Sequence, residues 1–161
     1  MRKLVVYYSQ ACGNTKKISE MIQKEKNTDI ARIDTVEPYK GSYNDIVAQG
    51  QEEVRRNFHP DIKELDILIS DYETIFIGTP TWWYTMAPAV ATFLSKNDWK
   101  GKKVILFQTH GGWPGHTLDD MKTLCKGADI IGEKAIQFDS TGGDKMITSV
   151  DEIKMWLSKY E

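Results

Sequence analysis

Lys3-Leu-Val-Val-Tyr-Tyr-Ser-Gln-Ala-Cys-Gly-Asn-Thr15 is the stretch from which the fold follows. Leu4 to Tyr8 is an unbroken apolar run of β-branched and aromatic residues, which reads as a strand buried on both faces. Small or polar residues fill Ser9 to Thr15, and a helical pattern then begins at Lys16 with Ile18, Met21 and Ile22. A buried strand, a tight loop and a helix start make an anion site. The helix N-terminus offers unpaired N–H groups and a partial positive charge. Ser9, Asn14 and Thr15 are suited to hold phosphate oxygens, and with no Lys or Arg inside the loop dipoles carry most of that task.

Outward from this stretch, the first helix is expected over Asn14 to Lys26 and a weaker strand at Ile30 to Asp34. Pro38, Gly41 and Ser42 mark a loop, Asn44 to Asn57 has helical character, and Leu65 to Ile69 is either a short helix or a strand. Ile75 to Gly78 reads as a second buried strand running into a loop, Thr79 to Met86, and then a helix from Pro88 to about Lys96. Val104 to Gln108 is the third buried strand, and the glycine-rich Thr109 to Gly115 follows it as a loop. Thr117 is placed to cap a helix carrying Leu118, Met121, Leu124 and Cys125, with Gly127 just past its end. Ala135 to Phe138 is the last expected strand, and Ser149 or Thr148 caps a final helix bearing Val150, Ile153, Leu157 and Tyr160.

Strand and helix alternate five times, the pattern of an α/β doubly wound parallel sheet with helices on both faces. Such sheets bind ligands beyond the carboxyl ends of their strands. Ser9–Thr15, Thr79–Met86 and Thr109–Gly115 all leave that edge, so one pocket built from all three is expected. The first loop would hold phosphate, the second offers Trp82, Trp83 and Tyr84, and Gly111 and Gly112 let backbone approach a flat ligand. Phosphate at one end and aromatic surface at the other suit a mononucleotide with a large planar ring, and flavin mononucleotide (FMN) fits. Stacking on aromatics is worth roughly 1–3 kcal/mol per base in related settings.

Ser9-Gln-Ala-Cys-Gly-Asn-Thr15 resembles the flavodoxin phosphate-loop signature. Gly78-Thr-Pro-Thr-Trp-Trp83, with Pro88 and Phe93-Leu94, is similar to the second flavin loop of that family, and Thr109-His-Gly-Gly112 to the third. The resemblance spans nearly the whole chain. It implies a flavodoxin-like three-layer sandwich with five parallel strands in the order 2-1-3-4-5, noncovalent FMN, redox activity and a second crossover helix within Glu37–Tyr72. It implies that Ser9, Gln10, Ala11, Cys12, Gly13, Asn14 and Thr15 form the phosphate loop. It also implies that Pro80, Thr81, Trp82, Trp83 and Tyr84, with Thr109, His110, Gly111 and Gly112, line the ring. Two departures stand out: Cys12 replaces a threonine or glycine, and a net charge of −2 contrasts with the strong acidity of electron-carrying flavodoxins. An electron carrier between redox partner proteins is the first expectation, and a reductase passing electrons from a nicotinamide to quinones or similar small acceptors is the second.

With 161 residues, one domain over 1–161 is expected, and the near-neutral charge points to neither nucleic acid nor an anionic membrane surface. Two cysteines, Cys12 and Cys125, make no disulfide framework, and no run approaches the roughly 20 apolar residues of a membrane span, so a cytoplasmic monomer or weak dimer is expected. Gly13-Asn-Thr-Lys16 has the wrong order for a nucleoside-triphosphate loop, and only Gly13 of a dinucleotide fingerprint is present. Tyr8-Ser9 and Gly78-Thr79 stand where a phospho-acceptor domain needs acids, and Ile18 stands where a Cys12 phosphatase needs arginine. The scattered histidines do not match metal spacing. His110 is either a satisfied loop residue or lies beside the ring, where an imidazole could hydrogen-bond or exchange a proton. Cys12 is read as a small residue fitting a tight loop, with a redox-sensitive thiol as the alternative, and Trp99 and Trp113 as covers for apolar edges.

Overall fold

A computed structural model describes residues 2–10, 13–141 and 143–160. β1 (Lys3–Tyr7) forms the middle of the sheet because Leu4, Val5 and Val6 have no solvent exposure on either face. β2 (Asp29–Arg32) pairs with it on one side and β3 (Thr74–Trp82) on the other, both parallel. β5 (Lys103–His110) and β6 (Asp129–Gln137) continue the sheet, giving the order β2-β1-β3-β5-β6. The two-residue β4 (Thr85–Met86) lies antiparallel to the end of β3. Leaving β4 aside, the five parallel strands have the expected 2-1-3-4-5 order.

Alternation along the strands divides the core in two. Leu4, Val6, Ile75, Ile77, Val104 and Leu106 face α3 (Pro88–Lys96) and α4 (Thr117–Leu124). Val5, Phe76, Ile105 and Phe107 face Ile18 and Ile22 of α1 (Asn14–Lys26) and Ile153, Trp156 and Leu157 of α5 (Val150–Leu157). α2 (Tyr43–Arg55) occupies the expected crossover region, begun by a capping box between Ser42 and Asp45. Among the described residues no helix is long and apolar enough to cross a membrane.

Several boundaries differ from the sequence reading. The second strand runs Asp29–Arg32, because pairing with Leu4–Tyr7 sets its length more than its few apolar residues do. Leu65–Ile69 is mostly irregular, ending in a single 3-10 turn at Ile69–Asp71. Thr79–Met86 is largely strand and hairpin: β3 continues through Trp82, with Thr81 opposite Met86 and Trp82 opposite Thr85. β5 likewise extends through His110. β6 starts at Asp129, six residues earlier than read, as an edge strand whose half-exposed Glu133 and Lys134 hide its period. Thr117 is the first residue of α4, fully buried, and its hydroxyl donates to the Pro114 carbonyl (2.9 Å). Trp99 is a core residue, donating Nε1–H to the Leu94 carbonyl (2.8 Å), while Trp113 is exposed.

Candidate functional site

β1 and β3 are the point where the chain reverses direction across the sheet, and a cavity of ≈ 510 Å³ opens above their carboxyl ends. Its floor begins at α1. Gly13 precedes the helix in the left-handed conformation (φ 75°), and its N–H donates to the Gln10 carbonyl (3.3 Å). Lys16 N–H donates to the Ser9 hydroxyl (3.3 Å) and Lys17 N–H to the Gly13 carbonyl (2.9 Å). The N–H groups of Asn14 and Thr15 find no acceptor among the described residues, and both residues line the cavity at the first turn of a 13-residue helix.

Side chains tie the loops together. The Thr15 and Thr109 hydroxyls share a buried hydrogen bond (2.8 Å), and Thr81 Oγ1 donates to the Thr109 carbonyl (3.0 Å). Gln108 Nε2 donates to Thr81 Oγ1 (2.7 Å) and to the Pro114 carbonyl (3.0 Å). Asn14 Nδ2 donates to the Gly143 carbonyl (3.0 Å), whereas Asn14 Oδ1 is buried with no donor among the described residues. An orphaned acceptor of this kind needs a ligand or water hydroxyl.

The aromatic wall comes from the β3–β4 hairpin. Trp82 stands edge-on to Tyr8 (5.8 Å) and Tyr39 (5.2 Å). Gly50 of α2 makes room for it: a Cβ there would sit 2.9 Å from the indole. Trp83 and Tyr84 are the two turn residues, both with positive φ (51° and 68°), as a type I′ hairpin turn requires. That turn favours Asn-Gly, so two bulky residues there hold backbone strain at the rim of the site. Trp83 Nε1 donates to the Val47 carbonyl (3.3 Å), fixing the hairpin to α2.

The opposite wall is the loop after β6. The Asp139 carboxylate accepts from the N–H groups of Thr141 (3.1 Å), Gly143 (3.0 Å) and Lys145 (2.9 Å) and from the Thr141 hydroxyl, and these donors hold its pKa down at about 2. Asp139 is the one acidic side chain among the described residues that line the cavity. His110, at the end of β5, also lines it, and burial lowers its pKa.

The three expected loops therefore converge. Gln10, Asn14, Thr15, Pro80, Thr81, Trp82, Trp83, Thr109, His110 and Gly111 all line the cavity. Ser9 and Gly13 instead line an adjoining depression with Lys16, Lys17 and Arg32. Tyr84 and Gly112 are set back from the cavity: Tyr84 points to solvent from the turn, and Gly112 hydrogen-bonds the His110 ring from behind. Ala11 and Cys12 lie outside the described residues. Sequence reasoning missed Tyr43, Ile46, Val47 and Gly50 on α2, since nothing local shows which face of a crossover helix meets the site. It also missed Phe138, Asp139 and Gly143, although Asp139-Ser-Thr-Gly-Gly143 has the same small, polar composition as the other carboxyl-end loops. The sheet also brings a cation to the first loop that local sequence does not contain, Arg32, whose Nη2 donates to the Ser9 carbonyl (3.0 Å).

A doubly wound parallel sheet with a helix N-terminus and an aromatic cavity at its switch point defines an α/β protein of the mononucleotide-binding type. The chain belongs to the flavodoxin family, whose sequence model matches residues 2–159. No curated protein matches the sequence. Among solved structures, the fold is similar to a Lactobacillus acidophilus flavoprotein in complex with FMN (24% identity, TM-score 0.70, covering 83% of this chain and 92% of that one). It is also similar to a Bacteroides uniformis protein provisionally described as a flavoprotein (22%, TM-score 0.80, 98% and 97%). The two-electron reduced flavodoxin of Megasphaera elsdenii shares the fold at 18% identity, with a TM-score of 0.52 and coverage of 96% and 95%.

Proposed function

We propose that this protein binds FMN noncovalently in the switch-point cavity and passes electrons between redox partner proteins. The observation that carries this reading is the junction, in one ≈ 510 Å³ cavity, of a helix N-terminus whose first N–H groups have no acceptor among the described residues and an indole-lined wall. Backbone N–H groups of Asn14 and Thr15 would bind the phosphate, with Ser9 and Gln10 shaping the loop around it. The orphaned Asn14 Oδ1 is an acceptor, so it suits a hydroxyl of the ribityl chain rather than a phosphate oxygen. Pro80 to Trp83 and Thr109 to Gly111 would bound the ring, with Ile46 and Val47 excluding water from one side. FMN, when bound, supplies one- and two-electron chemistry, and the chain's task is to orient it and tune its potential.

Titration of the apoprotein with FMN tests this directly. Quenching of flavin fluorescence is expected, and Asn14→Asp is expected to weaken binding at least about tenfold by adding charge beside phosphate and opposing the Gly143 carbonyl. Unchanged affinity in that variant would remove the assignment of the loop. The second reading is a stand-alone reductase of small acceptors. It is favoured by the scarcity of acid around the cavity, where only Asp139 is charged among the described lining residues. A carrier should hold a one-electron reduced state during anaerobic titration, whereas a reductase should consume NADH or NADPH with a quinone unaided.

A further inference from the structure

The hydrogen-bond geometry of His110 goes beyond lining a pocket. The Gly112 N–H donates to His110 Nδ1 at 3.0 Å. A nitrogen that accepts cannot carry the hydrogen, so the neutral ring must bear its proton on Nε2, the edge turned away from Gly112. Protonating Nδ1 would set two N–H groups against each other. Gly112 holds this position with φ 120°, a conformation that side-chain-bearing residues rarely adopt, so the lock is built from a glycine-specific turn. The surroundings also favour neutrality. The β6 residue opposite His110 is Gln137, and β3 and α1 bring Pro80, Thr81, Asn14 and Thr15 to the cavity, none of them charged. Among the described residues, the titratable groups sharing the cavity are Tyr43 and Asp139, and the Asp139 carboxylate is spent on donors of its own loop. Burial acts in the same direction, lowering the His110 pKa.

We propose that His110 is a fixed, neutral hydrogen-bond donor, offering Nε2–H to an acceptor atom of the bound planar ring, and is not a proton-exchanging group. This rests on the FMN reading above. Reduction makes the ring acceptors more electron-rich, so a donor here strengthens binding of the reduced cofactor over the oxidised one. No bond to hydrogen is broken, so His110 adds no proton to the reduction.

The test uses the holoprotein and its His110→Phe and His110→Asn variants. In His110→Phe, preference for reduced over oxidised FMN is expected to fall up to about tenfold, read as a midpoint potential lower by up to ~30 mV for a two-electron couple. His110→Asn, which keeps an N–H donor, should recover part of the shift. The slope of potential against pH should be the same in all three proteins. Nitrogen NMR of the wild type should show Nδ1 bare and Nε2 protonated in both redox states. A wild-type slope steeper than that of His110→Asn by one proton per two electrons would overturn the proposal. So would an Nδ1–H tautomer, or an unchanged potential in His110→Phe. Protein that takes up no FMN would overturn the reading beneath it as well. Normal FMN uptake with any of the other contrary results overturns the His110 proposal alone.

Discussion

Tyr84 shows how a single residue can carry strain in a fold that is otherwise regular. It is more than half exposed, holds φ 68° and touches the cavity only through the hairpin it closes. A left-handed conformation costs an L-residue about 1–2 kcal/mol, and asparagine tolerates it best after glycine. Tyr84→Asn is therefore expected to raise stability by about 0.5–1 kcal/mol in denaturant unfolding, and a loss of stability would show that the tyrosine ring contributes more than its backbone costs. Asp139 is the complementary case, an acid stabilised by its partners. Its folded pKa of about 2 lies below the ordinary carboxylate value near 4. The stabilisation is thus complete above that ordinary value and is lost as pH falls through the folded one. Asp139→Asn should flatten the acid limb of the unfolding curve between about pH 4 and 2, whereas parallel limbs in both proteins would contradict the linkage. Cys125 is inert by the same kind of accounting: burial raises its thiol to about 12.

At the scale of elements, α2 and the β3–β4 hairpin are one unit. Gly50 accepts the Trp82 ring, and the Val47 carbonyl holds the Trp83 indole. Gly50→Ala would improve helix propensity by about 1 kcal/mol while pushing a methyl group into the indole. Stability should then change by less than about 1 kcal/mol, while FMN affinity falls about tenfold as Trp82 is displaced toward the cavity. Unchanged affinity, measured by fluorescence titration, would mean that Trp82 is not a wall of the site. The hairpin also accounts for the misread boundary at Thr79. A run of Thr, Pro, Trp and Tyr has no glycine, yet the chain turns at Trp83-Tyr84 because cross-strand pairing and packing on α2 outweigh the local cost.

For the whole molecule, a formal charge of −2 limits long-range steering. For the proposed electron-carrier role, exchange with a protein partner is expected to change less than about tenfold between roughly 0.05 and 0.5 M salt. A steep loss of rate would point to local charge complementarity that the net value conceals.

The sequence by itself determined the architecture. Leu4–Tyr8, Ile75–Gly78 and Val104–Phe107 carry no charged or amide side chain because strands of a parallel sheet are covered on both faces, and that continuity is visible without a partner. The change to small and polar residues after them marked the carboxyl edge of the sheet, although pairing carries β3 on through Trp82 and β5 through His110. Only the tertiary structure decided which residues share the cavity. The face of α2 that meets Trp82, the Arg32 contact with Ser9 and the Gly143 bond to Asn14 join positions that no local pattern relates. They are set by strand order and register, which bring distant chain ends within hydrogen-bonding reach, whereas periodicity reports only which side of an element is dry.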